Sequence, residues 1–261
     1  MPVLIFLAVL DHERNDLFLD RHYLIDTVKP ESVYFMLIEC ENLVKTYRAD
    51  AGIFTAVDRV NLAVNRGDFA VILGHSGSGK TTLLSLIGGL TRPDSGTVRI
   101  DGVDNWQQDD ADLAMMRNRQ IGFIFQFASL IPTLTVLENV LLPLSFASRP
   151  EGDRPYAMEL LERVGLGGRQ DDLPGRLSGG QQRRVAIARS FINRPEIILA
   201  DEPTGDLDEA TEKEILAIFH DFNRQGVTFL VVTHSRELAA SQLQPRLFRM
   251  KNGALSEISS L

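Results

Sequence analysis

Phe69-Ala70-Val71-Ile72-Leu73-Gly74-His75-Ser76-Gly77-Ser78-Gly79-Lys80-Thr81-Thr82 is a short apolar run that ends in a glycine-rich loop and passes into a helical pattern. An unbroken apolar run of this length reads as a strand buried on both faces. Leu83, Leu84, Leu86, Ile87 and Leu90 then recur on one helical face, which predicts a helix from Thr81 to Leu90. Gly74 to Thr81 fits G-x-x-x-x-G-K-[ST]. Glycines let the backbone turn successive N–H groups inward around phosphate oxygens. Lys80 reaches the β- and γ-phosphates, the Thr81 hydroxyl is a Mg²⁺ ligand, and the helix start adds its positive dipole end. Gly74, His75, Ser76, Gly77, Ser78, Gly79, Lys80, Thr81 and Thr82 are therefore the candidate phosphate-binding set.

Further along, Ile197-Ile198-Leu199-Ala200 and Val227 to Val232 read as two more buried strands. Between them, Ile215, Phe219 and Phe222 stand at helical spacing, and Gly226 stops the pattern. Strands joined by helical crossovers predict a parallel sheet covered on both faces. Asp201-Glu202 follows the first of these strands at once, where parallel sheets bind ligands. Asp201 is placed to hold Mg²⁺ and Glu202 to polarise a water attacking the γ-phosphate. An Asp-Glu pair alone is usually a solvated turn; its place after an apolar strand favours function.

Residues 128 to 180 read as helices without strands, an inserted helical subdomain. Thr135-Val136-Leu137-Glu138 is a capping box, Pro155 sits in a first turn, and Gly165 ends that helix. Residues 1–35 carry no motif and read as an extension beyond a domain of 36–261, with Met36 as an alternative start; the rival reading is a short accessory element.

The 261 residues suffice for a sizeable core, and 44% hydrophobic and 24% charged content is ordinary for a globular chain. A net charge of −8 without a long basic run gives no sign of a nucleic-acid-binding face, and no nucleic acid is expected as a partner. The single cysteine, Cys40, excludes an internal disulfide, fits a reducing compartment and reads as core filler. The longest apolar stretch, Pro2 to Leu10, is far short of the roughly 20 residues needed to span a bilayer, so a membrane role would come through a partner.

Over about 36 to 256 the chain resembles the ATP-binding subunits of ABC transporters, motif by motif and in order. Leu177-Ser178-Gly179-Gly180-Gln181 matches the signature, Gln126 the Q-loop glutamine, His234 the switch histidine and Thr204-Gly205-Asp206-Leu207-Asp208 the D-loop. The resemblance implies an α/β P-loop NTPase (RecA-like) core with an N-terminal antiparallel β subdomain. It implies that Ser178, Gly179, Gly180 and Gln181 bind the γ-phosphate held by a second copy, with Asp206 at that dimer face. It implies Gln126 as a Mg²⁺ ligand, His234 as a γ-phosphate contact, Tyr47 as the aromatic stacking on adenine, and Glu202, His234, Gln126 and Lys80 as the catalytic set.

Phe125-Gln126-Phe127, Leu134 to Val140 and Leu199 to Gly205 are similar to the lipoprotein-release, macrolide-efflux and cell-division group. That implies an ATP- and Mg²⁺-dependent homodimer on the cytoplasmic face of the inner membrane. It would energise a membrane permease on another chain, or, as the alternative, drive transmembrane signalling. The cleft after Gln126, with Phe127, Leu130, Ile131 and Leu134, is the implied permease contact. Asp206 and Ser235 depart from the common pattern, where Asn and Asp are usual.

Overall fold

The computed structural model describes residues 36–49, 52–146, 153–205, 207–239 and 244–259. The extension 1–35 and the candidate Asp206 lie outside the described residues. The chain opens with the hairpin β1 (Met36–Ala49) and β2 (Gly52–Asn65), followed by β3 (Phe69–Leu73) and helix α1 (Lys80–Ile87). β4 (Ser95–Ile100), β5 (Val103–Asp104), α2 (Asp110–Gln120) and β6 (Ile121–Ile124) come next. The helical stretch holds α3 (Val136–Leu141) and α4 (Arg154–Arg163), and the signature helix α5 (Gly179–Phe191) follows. The chain closes with β7 (Ile197–Asp201), α6 (Glu209–Arg224), β8 (Thr228–Thr233), α7 (Arg236–Ala239) and the hairpin β9 (Arg246–Lys251) and β10 (Ala254–Ile258).

Two sheets result. β2-β1-β4-β5 is antiparallel, and β10-β9-β3-β8-β7-β6 is parallel from β9 to β6 with β10 as an antiparallel edge. Every residue of β3, β7 and β8 is buried, as their unbroken apolar sequences predict. The pleat sorts their side chains by parity into two cores. Phe69, Val71, Ile198, Ala200, Phe229 and Val231 face one, with α5 and α6. Ala70, Ile72, Ile197, Leu199, Leu230 and Val232 face the other, with α1 and the antiparallel sheet. On α6 the predicted stripe Ile215, Phe219 and Phe222 is buried in the first core, each side chain contributing roughly 1.5–3 kcal/mol. Cys40 is buried in the second core, and burial pushes its thiol far above the usual range.

One element ends earlier than its sequence pattern. α1 stops at Ile87, because Gly88 closes it and Gly89 takes a left-handed φ of 65°. Leu90 is 48% exposed rather than the last rung of the apolar face. The Thr135–Glu138 capping box forms as read, with Thr135 Oγ1 accepting from Glu138 N at 3.2 Å and Thr135 N donating to Glu138 Oε2 at 2.7 Å. Thr135 N and Thr135 Oγ1 both donate to Glu138 Oε2, and these bonds hold Glu138 below the usual carboxylate range.

Candidate active site

The loop after β3 is wedged between the two sheets. Gly79 takes φ 107°, and a Cβ there would lie 2.0 Å from the Ala56 carbonyl oxygen. A Cβ on Gly74 would meet the Met250 carbonyl oxygen at 2.5 Å. The β9–β10 turn braces the same loop: Gly253 N donates to Ser78 O at 3.1 Å, while its carbonyl accepts from Asp58 N at 2.9 Å. Only glycine satisfies the close approach at 74 and 79.

The loop forms one wall of a cleft of about 570 Å³. His75 to Thr82 line it together with Gln126, Asp201, Glu202 and His234, which arrive from the ends of β6, β7 and β8. Lys80 Nζ donates to Gly74 O at 2.7 Å and lies 3.7 Å from Glu202 Oε1. The Glu202 carboxylate is gripped on both oxygens. Oε2 accepts from Thr233 Oγ1 at 2.7 Å and His234 N at 3.2 Å, and Oε1 lies 2.9 Å from His234 Nδ1. Glu202 itself sits at φ 46°, a left-handed conformation that costs an ordinary residue about 1–2 kcal/mol. It is held there by Glu202 N donating to Val232 O at 2.9 Å. Burial pushes the Asp201 carboxyl above the usual carboxylate range, opposed by a hydrogen bond from the Thr81 side chain.

The donor chemistry of the cleft suits a hard divalent cation such as Mg²⁺. Thr81, Asp201 and Gln126 offer hard oxygen atoms in one cleft, and a cation beside the desolvated Asp201 offsets its burial cost. Ser78 carries a buried hydroxyl that accepts or donates no hydrogen bond within the protein.

The other sequence candidates stand apart. Ser178, Gly179, Gly180 and Gln181 open α5 outside this cleft, with Ser178 Oγ accepting from Gln181 N and Ser178 N donating to Gln181 Oε1. Tyr47 on β1 stacks on its cross-strand partner Phe54, with ring centroids 5.7 Å apart. It is Phe54, 52% exposed, that lines the cleft. The sequence reading missed Phe54, and also Thr233, whose hydroxyl holds Glu202. The sequence shows an aromatic seven positions after Tyr47, but its pairing depends on the hairpin register; the strand-end position gave no signal for Thr233.

A parallel sheet with a phosphate loop after β3 and an Asp-Glu pair at the end of β7, facing one cleft, defines a P-loop NTPase. Residues 57–205 match the family described as ABC transporter. The chain belongs to the ABC transporter family, and its fold is that of the family's ATP-binding cassette. It is 41% identical over 224 residues to the lipoprotein-releasing system ATP-binding protein LolD of Alcanivorax borkumensis, covering 85% of this chain and 97% of that protein. It is 43% identical over 225 residues to the macrolide export ATP-binding/permease protein MacB of Rhodopirellula baltica, spanning 85% of this chain but 33% of that protein. The dimeric structure of MJ0796, a bacterial ABC transporter cassette, matches with TM-score 0.79 and 41% identity, covering 86% of this chain and all of that one. The post-hydrolysis dimer of the same cassette, bound to ADP and Pi, matches with TM-score 0.78.

Proposed function

We propose that this chain hydrolyses ATP as a homodimer and thereby drives a membrane permease of the lipoprotein-release or macrolide-efflux type. The observation that carries this reading is the convergence of Lys80, Thr81, Gln126, Asp201, Glu202 and His234 on one cleft, with Ser178 to Gln181 outside it. One chain supplies the phosphate grip and the carboxylate; the second anion-binding helix start has to meet a nucleotide held by another copy.

In the reaction, the loop amides of Gly77 to Thr81 and the Lys80 ammonium bind the β- and γ-phosphates. Water attacks the γ-phosphorus, its proton passes to the Glu202 carboxylate, and the bond to the ADP oxygen breaks. Thr233 and His234 hold that carboxylate in position. His234 also reaches the γ-phosphate from the cleft wall. Mg²⁺ would supply charge neutralisation when bound, and Thr81, Asp201 and Gln126 are the residues that would hold it. Phe54 and Tyr47 form a two-ring platform for the base.

The permease contact lies beside the segment after Gln126. Phe127, directly after Gln126, is 74% exposed, and Phe146, 76% exposed, lines a groove with Phe123, Phe125, Leu142 and Pro143. Of the expected contact residues, Ile131 is exposed as well, while Leu130 packs against the core. Two arginines of α5 hold the segment's backbone: Arg183 donates to Phe125 O at 2.6 Å, and Arg189 to Ala128 O at 2.8 Å and Ser129 O at 3.0 Å. Movement of the signature helix is thereby transmitted to the groove. Among the described residues no helix is long and apolar enough to cross a membrane. Attachment to the cytoplasmic membrane face comes through this contact.

The test is Glu202→Gln. Loss of the proton acceptor lowers ATP turnover by about a thousandfold while ATP binding persists. Gel filtration with ATP then shows a dimer that the nucleotide-free protein lacks. Substantial turnover in the variant removes Glu202 from the reaction, and a monomer under ATP removes the shared-site reading.

A further inference from the structure

Glu212 lies on the first turn of α6, outside the nucleotide cleft, yet it joins the two segments that flank the cleft. Its Oε1 accepts two hydrogen bonds, from Thr204 Oγ1 at 2.9 Å and from Ser235 Oγ at 3.2 Å. Thr204 is 5% exposed and lies in the turn after Glu202; Ser235 directly follows His234. The network continues inward. Ser235 N donates to Thr233 Oγ1 at 3.0 Å, and Thr233 Oγ1 donates to Glu202 Oε2 at 2.7 Å. Because the Ser235 amide occupies one lone pair of the buried Thr233 hydroxyl, that hydroxyl's single proton points at Glu202. Such chains are strong away from water, since each bond polarises the next.

We propose that Glu212 is a positioning residue: its carboxylate fixes the spacing between the Thr204 segment and the His234 segment, and through Ser235 and Thr233 it aims the Glu202 carboxylate. This rests on the proposed ATPase reading. Ser235 supplies only a hydroxyl after His234, so the carboxylate at this junction comes from α6 rather than from position 235. The two placements exclude each other, because an aspartate in place of Ser235 sets its carboxylate against that of Glu212. Displacement of the Thr204 segment, the part assigned to the dimer face, is therefore felt at Glu202.

A swap experiment tests the exclusivity. Ser235 Oγ also accepts from Leu238 N at 3.3 Å as the cap of α7, and aspartate keeps that cap. Steady-state ATPase and fluorescent-nucleotide affinity are measured on the full chain for the wild type, Glu212→Ala, Glu212→Gln, Ser235→Asp and the double variant Glu212→Ala/Ser235→Asp. Glu212→Ala and Ser235→Asp each lower kcat by about tenfold with ATP affinity within about twofold, as expected when aim rather than binding is lost. Glu212→Gln, whose amide oxygen can accept both hydroxyls, keeps most of the rate. The double variant returns to within about threefold of the wild type, against the roughly hundredfold loss expected of independent changes. Wild-type turnover in Glu212→Ala, or a double variant as slow as the product of the singles, overturns the proposal while leaving the ATPase reading intact. A wild-type chain that turns over no ATP overturns both. Should Glu212→Ala melt early, recovery of the Ser235→Asp rate by Glu212→Ala in the double variant decides the matter.

Discussion

Helices α1 and α5 both begin at glycine-bearing turns suited to anions, and their surroundings differ. At α1 the N-cap is Gly79, which offers no side chain, so the first-turn N–H groups have no side-chain partner. At α5 the N-cap is Ser178, and a reciprocal capping box with Gln181 occupies one of those donors. Around α1 stand Lys80, Asp201, Glu202, His234 and Gln126. The start of α5 has no such company: Ser178 and Gly179 are exposed, with Leu207 and Thr211 beside Gly180. On the proposed reading, similar local geometry gives a complete phosphate grip in one place and a half-site in the other. The difference lies in what the sheet delivers to each.

That contrast can be broken at its stronger end first. Lys80→Ala removes the charge that meets the phosphates and weakens ATP binding by about a hundredfold, read by calorimetry. Unchanged affinity makes the two helix starts equivalent and dissolves the contrast. Ser178→Ala works on the other side. It leaves nucleotide affinity of the dilute chain as it was and lowers kcat by about tenfold. The melting temperature falls by a few degrees, for a lost cap of about 1 kcal/mol. A drop in affinity matching that of Lys80→Ala places Ser178 in the same chain's cleft.

The base platform gives a smaller effect. Phe54→Ala lowers ATP affinity by about fivefold, for roughly 1 kcal/mol of ring stacking, and Tyr47→Ala by less. Tripolyphosphate, which has no base, binds both variants like the wild type. The reverse ranking returns the platform to Tyr47.

The smallest effect lies away from both helix starts. Asp94 accepts from Lys45 Nζ at 2.9 Å and from Thr46 N and Oγ1, which together hold its carboxyl down at about 2. An acid with a lowered folded-state value stabilises the fold above its ordinary value of 3.8 and stops doing so as pH falls to about 2. Asp94→Asn therefore melts slightly below the wild type at neutral pH, and the two melting curves converge across that window. A gap that persists at pH 2 ascribes the effect to packing instead.

Much of this site was legible in the linear chain because its parts are local. A strand, a glycine loop and a helix are consecutive, and the Asp-Glu pair directly follows its strand. The cap at Thr135 needs only a residue three positions on. The end of α1 was misread because apolar spacing continues to Leu90 through two glycines that break the helix. Phe54 was missed because a cross-strand pair depends on hairpin register, Tyr47 opposite Phe54, which the sequence does not display.

By itself the sequence determined the phosphate loop, the buried parallel strands and the identity of the carboxylate pair, since each rests on backbone freedom or on polarity within a few residues. Tertiary structure alone decided how Glu202 is aimed. Parallel pairing of β7 with β8 sets Asp201 against Val232, and that register brings Glu202 to Thr233 and His234. Only then does α6 fold back to lay Glu212 between Thr204 and Ser235. Contacts between segments far apart in the chain follow from strand register and helix crossover, which no local pattern encodes.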